Sequence, residues 1–268
     1  MKVSRLAIHL LAAIVLIFNA TLASAQEWSH DPDSAIGPNF WGELAFPFAT
    51  CGAGEPFIEV GQKQSPIDIA TANTVSEAVP WLAFWYRKTP FIVENTGHVV
   101  EVPYTAGSAI RVGMDKYELL QFHFHAPSEH TVNGEFAAAE LHLVHRSNLL
   151  DYAVVGVLIN VGFPVNEELD EILINAPVEE GEIELEGSVN AKDLLPRQKG
   201  YYHYSGSLTT PPCSEGVRWF VLKKPVFVSQ EAIDHLHAVI SQFPGYGGFP
   251  DNNRPVRPLN GRAILKRH

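Results

Sequence analysis

The segment Gln121-Phe122-His123-Phe124-His125 alternates polar and aromatic side chains with a period of two. A strand sends successive side chains to opposite faces, so Gln121, His123 and His125 share one face and both phenylalanines take the other. A second segment, Ala138 to His145, has the same period and aligns Ala138, Glu140, His142 and Val144 on one face. The turn residues Asn133-Gly134 between them allow the second segment to run back antiparallel to the first, which brings three imidazoles onto one patch. Strands with one greasy face and one polar face need a broad sheet to sit in. Short apolar or alternating runs recur at Phe91 to Val93, Val99 to Val102, Ala153 to Val161 and Val217 to Leu222, punctuated by turns such as Asn95-Thr96-Gly97, so a large, mainly antiparallel sheet is predicted.

Two helices are predicted beside it. In Ser229 to Phe243, Ser229 can cap, Glu231 lies in the first turn, and Ala232, Leu236, Val239, Ile240 and Phe243 share a face. Val165 to Ile174 carries a shorter pattern of the same kind. Residues 26 to 64 are rich in Gly, Pro and aromatics without periodicity, which predicts a wrapped, irregular leading segment. A chain of 268 residues with 46% hydrophobic and 18% charged content buries a sizeable core unaided, and no repeat or linker divides it. Its net charge of -11 argues against nucleic acid, which needs a basic face.

Residues 1–25 read as a secretory signal peptide. Lys2 and Arg5 precede the apolar run Leu6 to Phe18, and Ala23-Ser24-Ala25 suits cleavage before Gln26. The run is too short to span a bilayer, and no later stretch is long and apolar enough, so the mature product, residues 26–268, is expected in a periplasm or secreted, away from the membrane. The two cysteines, Cys51 and Cys213, then read as a disulfide rather than a redox or zinc site, with two buried thiols as the alternative.

Three neutral histidines leave one position of a tetrahedral zinc ion open, the arrangement of a catalytic site rather than a structural one. Gln121 and Glu140, each two residues before a ligand, can accept the second imidazole N–H and fix the tautomer. His123-x-His125 followed by Glu129 also mimics part of a cupin pattern, but Gly113 is at the wrong distance and His142 comes too early. No His-Glu-x-x-His helix supports a zinc protease.

With these motifs in view, the sequence resembles the alpha-class carbonic anhydrases of exported bacterial type. The resemblance covers nearly all of the mature chain. It rests on Gln64-Ser65-Pro66-Ile67-Asp68-Ile69, Asn95-Thr96-Gly97-His98, Gln121 to His125, Ser128-Glu129-His130-Thr131-Val132, Ala139 to His145, Tyr204 to Pro212 and Asn253-Arg254-Pro255. It implies an α+β, mainly β fold: a large twisted, mostly antiparallel central sheet with peripheral short helices, in a single domain. It also implies a cysteine pair matching Cys51 and Cys213, and cis bonds at Ser65-Pro66 and Pro211-Pro212.

The implied activity is zinc-dependent reversible hydration of carbon dioxide to bicarbonate and a proton. By resemblance His123, His125 and His142 bind Zn2+, which lowers the pKa of its water to about 7, as in that family, so that zinc-bound hydroxide attacks at neutral pH. Thr209 corresponds to the gatekeeper that accepts a hydrogen bond from the hydroxide and donates to Glu129, while its backbone N–H receives developing charge. Thr210 corresponds to a contact for bicarbonate or ordered water, and Val144, Val154, Leu208 and Trp219 to the dry wall where carbon dioxide rests. His98 takes the proton-shuttle position. The chain departs from the pattern at Thr96, Glu101 and His30. Glu101 is expected to raise the pKa of His98, and His30 to act as a second shuttle or as a disruption. His130 and His145 belong to the motif blocks, but His145 faces away from His142 and reads as a structural hydrogen-bonding residue, and His203, His235, His237 and His268 read as surface or satisfied core residues. A catalytically weak binding module and a zinc esterase are the rival functions; monomer and homodimer both stay open.

Overall fold

The computed structural model describes residues 27–44, 46–52, 61–77 and 79–267; residues 1–25, expected to be a signal peptide, and His268 lie outside them. Fourteen strands and two α-helices follow in order: β1 Asp68–Ile69, β2 Leu82–Trp85, β3 Thr89–Asn95, β4 Val100–Pro103, β5 Ala109–Val112, β6 Asp115–His125, β7 Thr131–Val132, β8 Glu135–Phe136, β9 Ala139–Arg146, β10 Tyr152–Val161, α1 Glu167–Ile174, β11 Gly181–Val189, β12 Tyr201–Ser207, β13 Glu215–Val228, α2 Gln230–Ile240 and β14 Leu265–Arg267. Eleven of the strands make one sheet in the order β11-β3-β4-β6-β9-β10-β13-β12-β14, with β5 on β6 and β2 on β5.

The expected antiparallel sheet is present with one exception inside it, β10 against β13, which run parallel. Parallel neighbours need a long crossover, and the chain between them supplies one through α1, β11 and β12. The Asn133-Gly134 turn adopts positive φ at both residues, 54° and 84°, as a tight hairpin requires. It closes the short β7–β8 ladder within the connection rather than joining β6 to β9 directly.

The sheet separates two apolar clusters. Phe122 and Phe124 face the larger one with Leu141, Leu143, Val155 and Val157, and the buried face of α2 (Ile233, Leu236, Val239, Ile240) belongs to the same cluster. Val144, Val154, Trp219 and Val221 belong to the smaller cluster, together with Ile67 and Ile69. Both helices are capped as side-chain chemistry dictates. Ser229 accepts the Ala232 N–H at 3.1 Å. Asn166 accepts the Leu169 N–H at 3.0 Å, which starts α1 at Glu167, two residues later than expected. α2 stops at Ile240, yet Phe243 remains buried beyond its end. Among its described residues the leading segment is irregular as read, with 3-10 turns at Trp41–Glu43 and Phe48–Cys51. Cys51 and Cys213 form the disulfide across 162 residues, and Ser65-Pro66 and Pro211-Pro212 are both cis.

Candidate active site

The register between β6 and β9 builds the site. His123 lies opposite His142, and His125 opposite Glu140. The three rings have centroids 5.0, 5.3 and 4.7 Å apart, and one nitrogen from each lies within 4.8 Å of the others. Each ring's remaining nitrogen faces a different partner. His123 Nδ1 pairs with Gln121 Oε1 at 2.9 Å, as the i-2 spacing predicts. His142 Nε2 lies 3.0 Å from Glu140 Oε1, the carboxylate expected behind it, as an ion-pair contact without hydrogen-bond geometry. His125 Nδ1 donates to the backbone carbonyl of Asn252 at 2.7 Å, a partner the sequence reading did not find. Asn252 is locked there, accepting the Ala126 N–H at 2.9 Å and donating to Phe124 O at 3.2 Å.

Burial favours neutral imidazoles at His123 and His125, lowering both pKa values, and the neighbouring rings add to this at His123. Burial also opposes charge on His142, but the Glu140 carboxylate outweighs it and raises the pKa. Burial likewise pushes Glu140 up, yet His130 and His142 outweigh that and hold it well below the usual carboxylate range. Glu140 is therefore an anchored anion. Its Oε2 accepts the backbone N–H groups of Glu129 and His130 at 3.0 and 2.8 Å, and its Oε1 meets His130 Nδ1 at 2.8 Å. His130 continues to the Tyr204 hydroxyl at 2.7 Å, which meets Ser65 Oγ at 2.8 Å. Gly156 leaves room for this carboxylate, because a Cβ there would sit 2.7 Å from Glu140 Oε1.

Glu129 is fully buried and turns one oxygen outward and one inward. Its Oε1 accepts the Arg254 backbone N–H at 2.9 Å. Its Oε2 lies 3.7 Å from His125 Nε2 and 3.8 Å from His142 Nδ1, without a hydrogen-bond partner among the described residues. The bond expected from Thr209 is thus not made in this conformation, and Oε2 stays open to it. Arg254, also fully buried, ties Glu129 to the leading segment: its guanidinium donates to Gln64 Oε1, Ser65 O and Cys51 O at 2.8–2.9 Å. Thr209 follows β12 in a loop held by Leu208 N–H to Ser214 O, Trp219 Nε1–H to Ser207 O and Cys213 N–H to Thr210 O, all at 2.9 Å. Val144, Val154 and Trp219 pack in one apolar cluster with Leu208 at its border.

His98 stands apart from the imidazole patch, stacked on Trp28 with centroids 4.0 Å apart and planes within 9°. Burial lowers its pKa, and the carboxylate that opposes this is Glu180, not Glu101 as expected. Glu101 is itself raised to about 7, by burial and by Glu94 beside it. His30 is buried against Trp28, Trp41 and Tyr246, its Nδ1 paired with the Tyr246 hydroxyl, and burial holds its pKa well below the usual imidazole value. His145 faces the other side of β9 and pairs with the Tyr86 hydroxyl at 2.8 Å, as its phase predicts. His203, His235 and His237 each pair with a backbone carbonyl.

The donor set suits a divalent metal on its own chemistry. His125 Nε2 is buried without a hydrogen-bond partner, beside two further imidazoles that converge on it. A buried polar atom left open inside an otherwise satisfied network marks a place for a ligand.

The family model for eukaryotic-type carbonic anhydrases matches residues 36–268. A carbonic anhydrase of Nostoc sp. is 40% identical over 236 residues, 86% of this chain and 83% of that protein. One from Neisseria gonorrhoeae is 34% identical over 96% of both chains. The solved alpha-carbonic anhydrase of Thermovibrio ammonificans, in complex with sulfanilamide, superposes with a TM-score of 0.80 at 39% identity, covering 90% of this chain and 99% of that one. The buried histidine patch, the sheet that carries it and these matches agree: the chain belongs to the alpha (eukaryotic-type) carbonic anhydrase family, enzymes that reversibly hydrate carbon dioxide.

Proposed function

We propose that His123 Nε2, His125 Nε2 and His142 Nδ1 hold a zinc ion and that carbon dioxide is hydrated beside it. The observation that carries this reading is the convergence of one nitrogen from each of the three imidazoles within 4.8 Å, with His125 Nε2 buried and without a hydrogen-bond partner while His123 Nδ1 and His125 Nδ1 are held from behind. Bound zinc would supply the Lewis acidity that makes hydroxide available near neutral pH.

The chain's own residues do the rest. Gln121, Glu140 and the Asn252 carbonyl fix the tautomer and direction of the three imidazoles. With substrate bound, Glu129 Oε2, open in the structure, would accept a hydrogen bond from the Thr209 hydroxyl. With its own hydrogen so committed, the Thr209 oxygen can only accept, and would orient an O–H donor beside the metal position so that the donor oxygen's lone pair faces the substrate. The Thr209 backbone N–H stabilises charge as it develops on the substrate oxygen. Val144, Val154, Leu208 and Trp219 exclude water from the face on which the apolar gas rests. Thr210 contacts the bicarbonate product. His98, partly exposed on Trp28, carries the released proton to solvent. Its lowered pKa keeps it neutral at neutral pH, ready to accept that proton.

Stopped-flow hydration tests the assignment. Thr209→Ala should lower kcat/KM by about 100-fold or more, the scale of losing a preorganised group at the reacting oxygen. His98→Ala should slow turnover at low buffer concentration and recover with added imidazole. A His98→Ala enzyme as fast as the parent removes His98 from the pathway.

The same reading extends to export. Residues 1–25 act as a cleaved signal, and the Cys51–Cys213 disulfide fits an oxidising periplasmic or extracellular destination. Amino-terminal sequencing of the mature protein should begin at Gln26. An intact Met1 would contradict export by this route.

A further inference from the structure

Far along the sheet from the histidine patch, β2 forms an edge, paired with β5 alone among the described residues. Two of the chain's five tryptophans are exposed here, Trp81 by 44% and Trp85 by 49%. Their rings meet edge to face with centroids 6.4 Å apart. They line an open cleft of about 690 Å³ together with Arg87, Arg111 and Lys116. The Arg111 guanidinium lies over the Trp85 ring, 5.8 Å from its centroid. No carboxylate lines the cleft, and none of the three cations is in an ion pair among the described residues. In a chain of net charge -11 this is a local reversal of sign built around two aromatic faces.

We propose that this cleft binds an anionic polysaccharide, a chain of pyranose rings carrying carboxylates. Tryptophans left half in water lose the hydration benefit of burial, so an exposed pair in a concave site signals a partner that covers them. The C–H face of a pyranose is flat and apolar and stacks on an indole. Guanidinium groups held beside that indole then take the carboxylate through charge-assisted hydrogen bonds. Arg111, ordered over Trp85, is already in place to do so. A wholly apolar partner would leave three cations desolvated without compensation, and a ring-free polyanion would leave the indoles unused.

Calorimetric titration of the mature protein with an oligogalacturonate tests this, with a neutral maltooligosaccharide and poly-glutamate as comparison ligands. Oligogalacturonate should bind, and the other two should bind at least tenfold more weakly. Trp85→Ala and Arg111→Gln should each weaken binding by about tenfold, the scale of removing an aromatic or arginine anchor. Carbon dioxide hydration should be unchanged in both variants, which shows them folded. Absence of oligogalacturonate binding, equal binding of poly-glutamate, or affinity that survives both substitutions in active protein overturns the proposal.

Discussion

His142 and His145 lie three residues apart on β9, both buried, and the two faces of the strand treat them oppositely. His145 faces the larger core. Its Nε2 meets the Tyr86 hydroxyl and its Nδ1 the Ala153 carbonyl, so it has nothing left to offer. Burial holds its pKa down to about 3. His142 faces the patch, keeps Glu140 on one nitrogen and turns the other toward His125 and Glu129. Burial alone does not distinguish a working histidine from a structural one; the open nitrogen and the carboxylate behind it do.

The largest expected break in this comparison is His142→Ala. It should abolish both bound zinc and hydration, while His145→Phe leaves one zinc per chain and near-parental activity. Metal analysis beside stopped-flow rates reads both. Reduction of Cys51–Cys213 should come next. Closing a loop of 162 residues is worth about 5 kcal/mol in the chain-entropy argument, measurable as a lower denaturation midpoint. Because Cys51 O accepts from Arg254, whose N–H holds Glu129, reduction should also slow hydration. Glu140→Gln should cost about 10–100-fold in zinc affinity or activity. Gly156→Ala should push in the same direction by a smaller amount, because its new methyl displaces the same carboxylate. If Gly156→Ala leaves zinc affinity and rate unchanged, the Glu140 position is not critical.

The smallest effect belongs to the structural histidine. In the parent protein the folded pKa of His145, about 3, lies below the ordinary 6.5, so the unfolded chain binds the extra proton. The stability due to the neutral buried ring is complete above pH 6.5 and is lost as pH falls toward 3. His145→Phe should be less stable at neutral pH by about 1–3 kcal/mol, having stranded the Tyr86 hydroxyl. Its stability should then fall less steeply than the parent's over that window. Parallel acid-unfolding curves for the two proteins would contradict the assignment.

Period-two phase made much of this legible. The faces of β6 and β9, and with them the three imidazoles, Gln121 and Glu140, follow from alternation alone. So does the opposite orientation of His145. What phase cannot reach is a contact made by irregular chain. Asn252 and Arg254 lie in a stretch with no strand or helix period, and their roles depend on backbone groups that any residue type carries. The same holds for His130, whose links to Glu140 and Tyr204 join three separate segments. β11 carries a period-two run of its own, Glu182-Ile183-Glu184-Leu185-Glu186, so it is legible in the sequence although it is absent from the runs named above; most of its side chains are exposed. The charge acting on His98 was misassigned. Glu101 is close in sequence, but Glu180, brought in by the chain ahead of β11, is the carboxylate that acts on it.

The most direct test of the metal centre is zinc stoichiometry measured together with carbon dioxide hydration, on the mature protein as purified, after chelation, and after zinc is returned. One zinc per chain, activity lost with the metal and restored with it, and no zinc retained by His142→Ala is the expected result. Full hydration by the stripped protein, or one zinc still held by His142→Ala, would contradict the assignment of His123, His125 and His142.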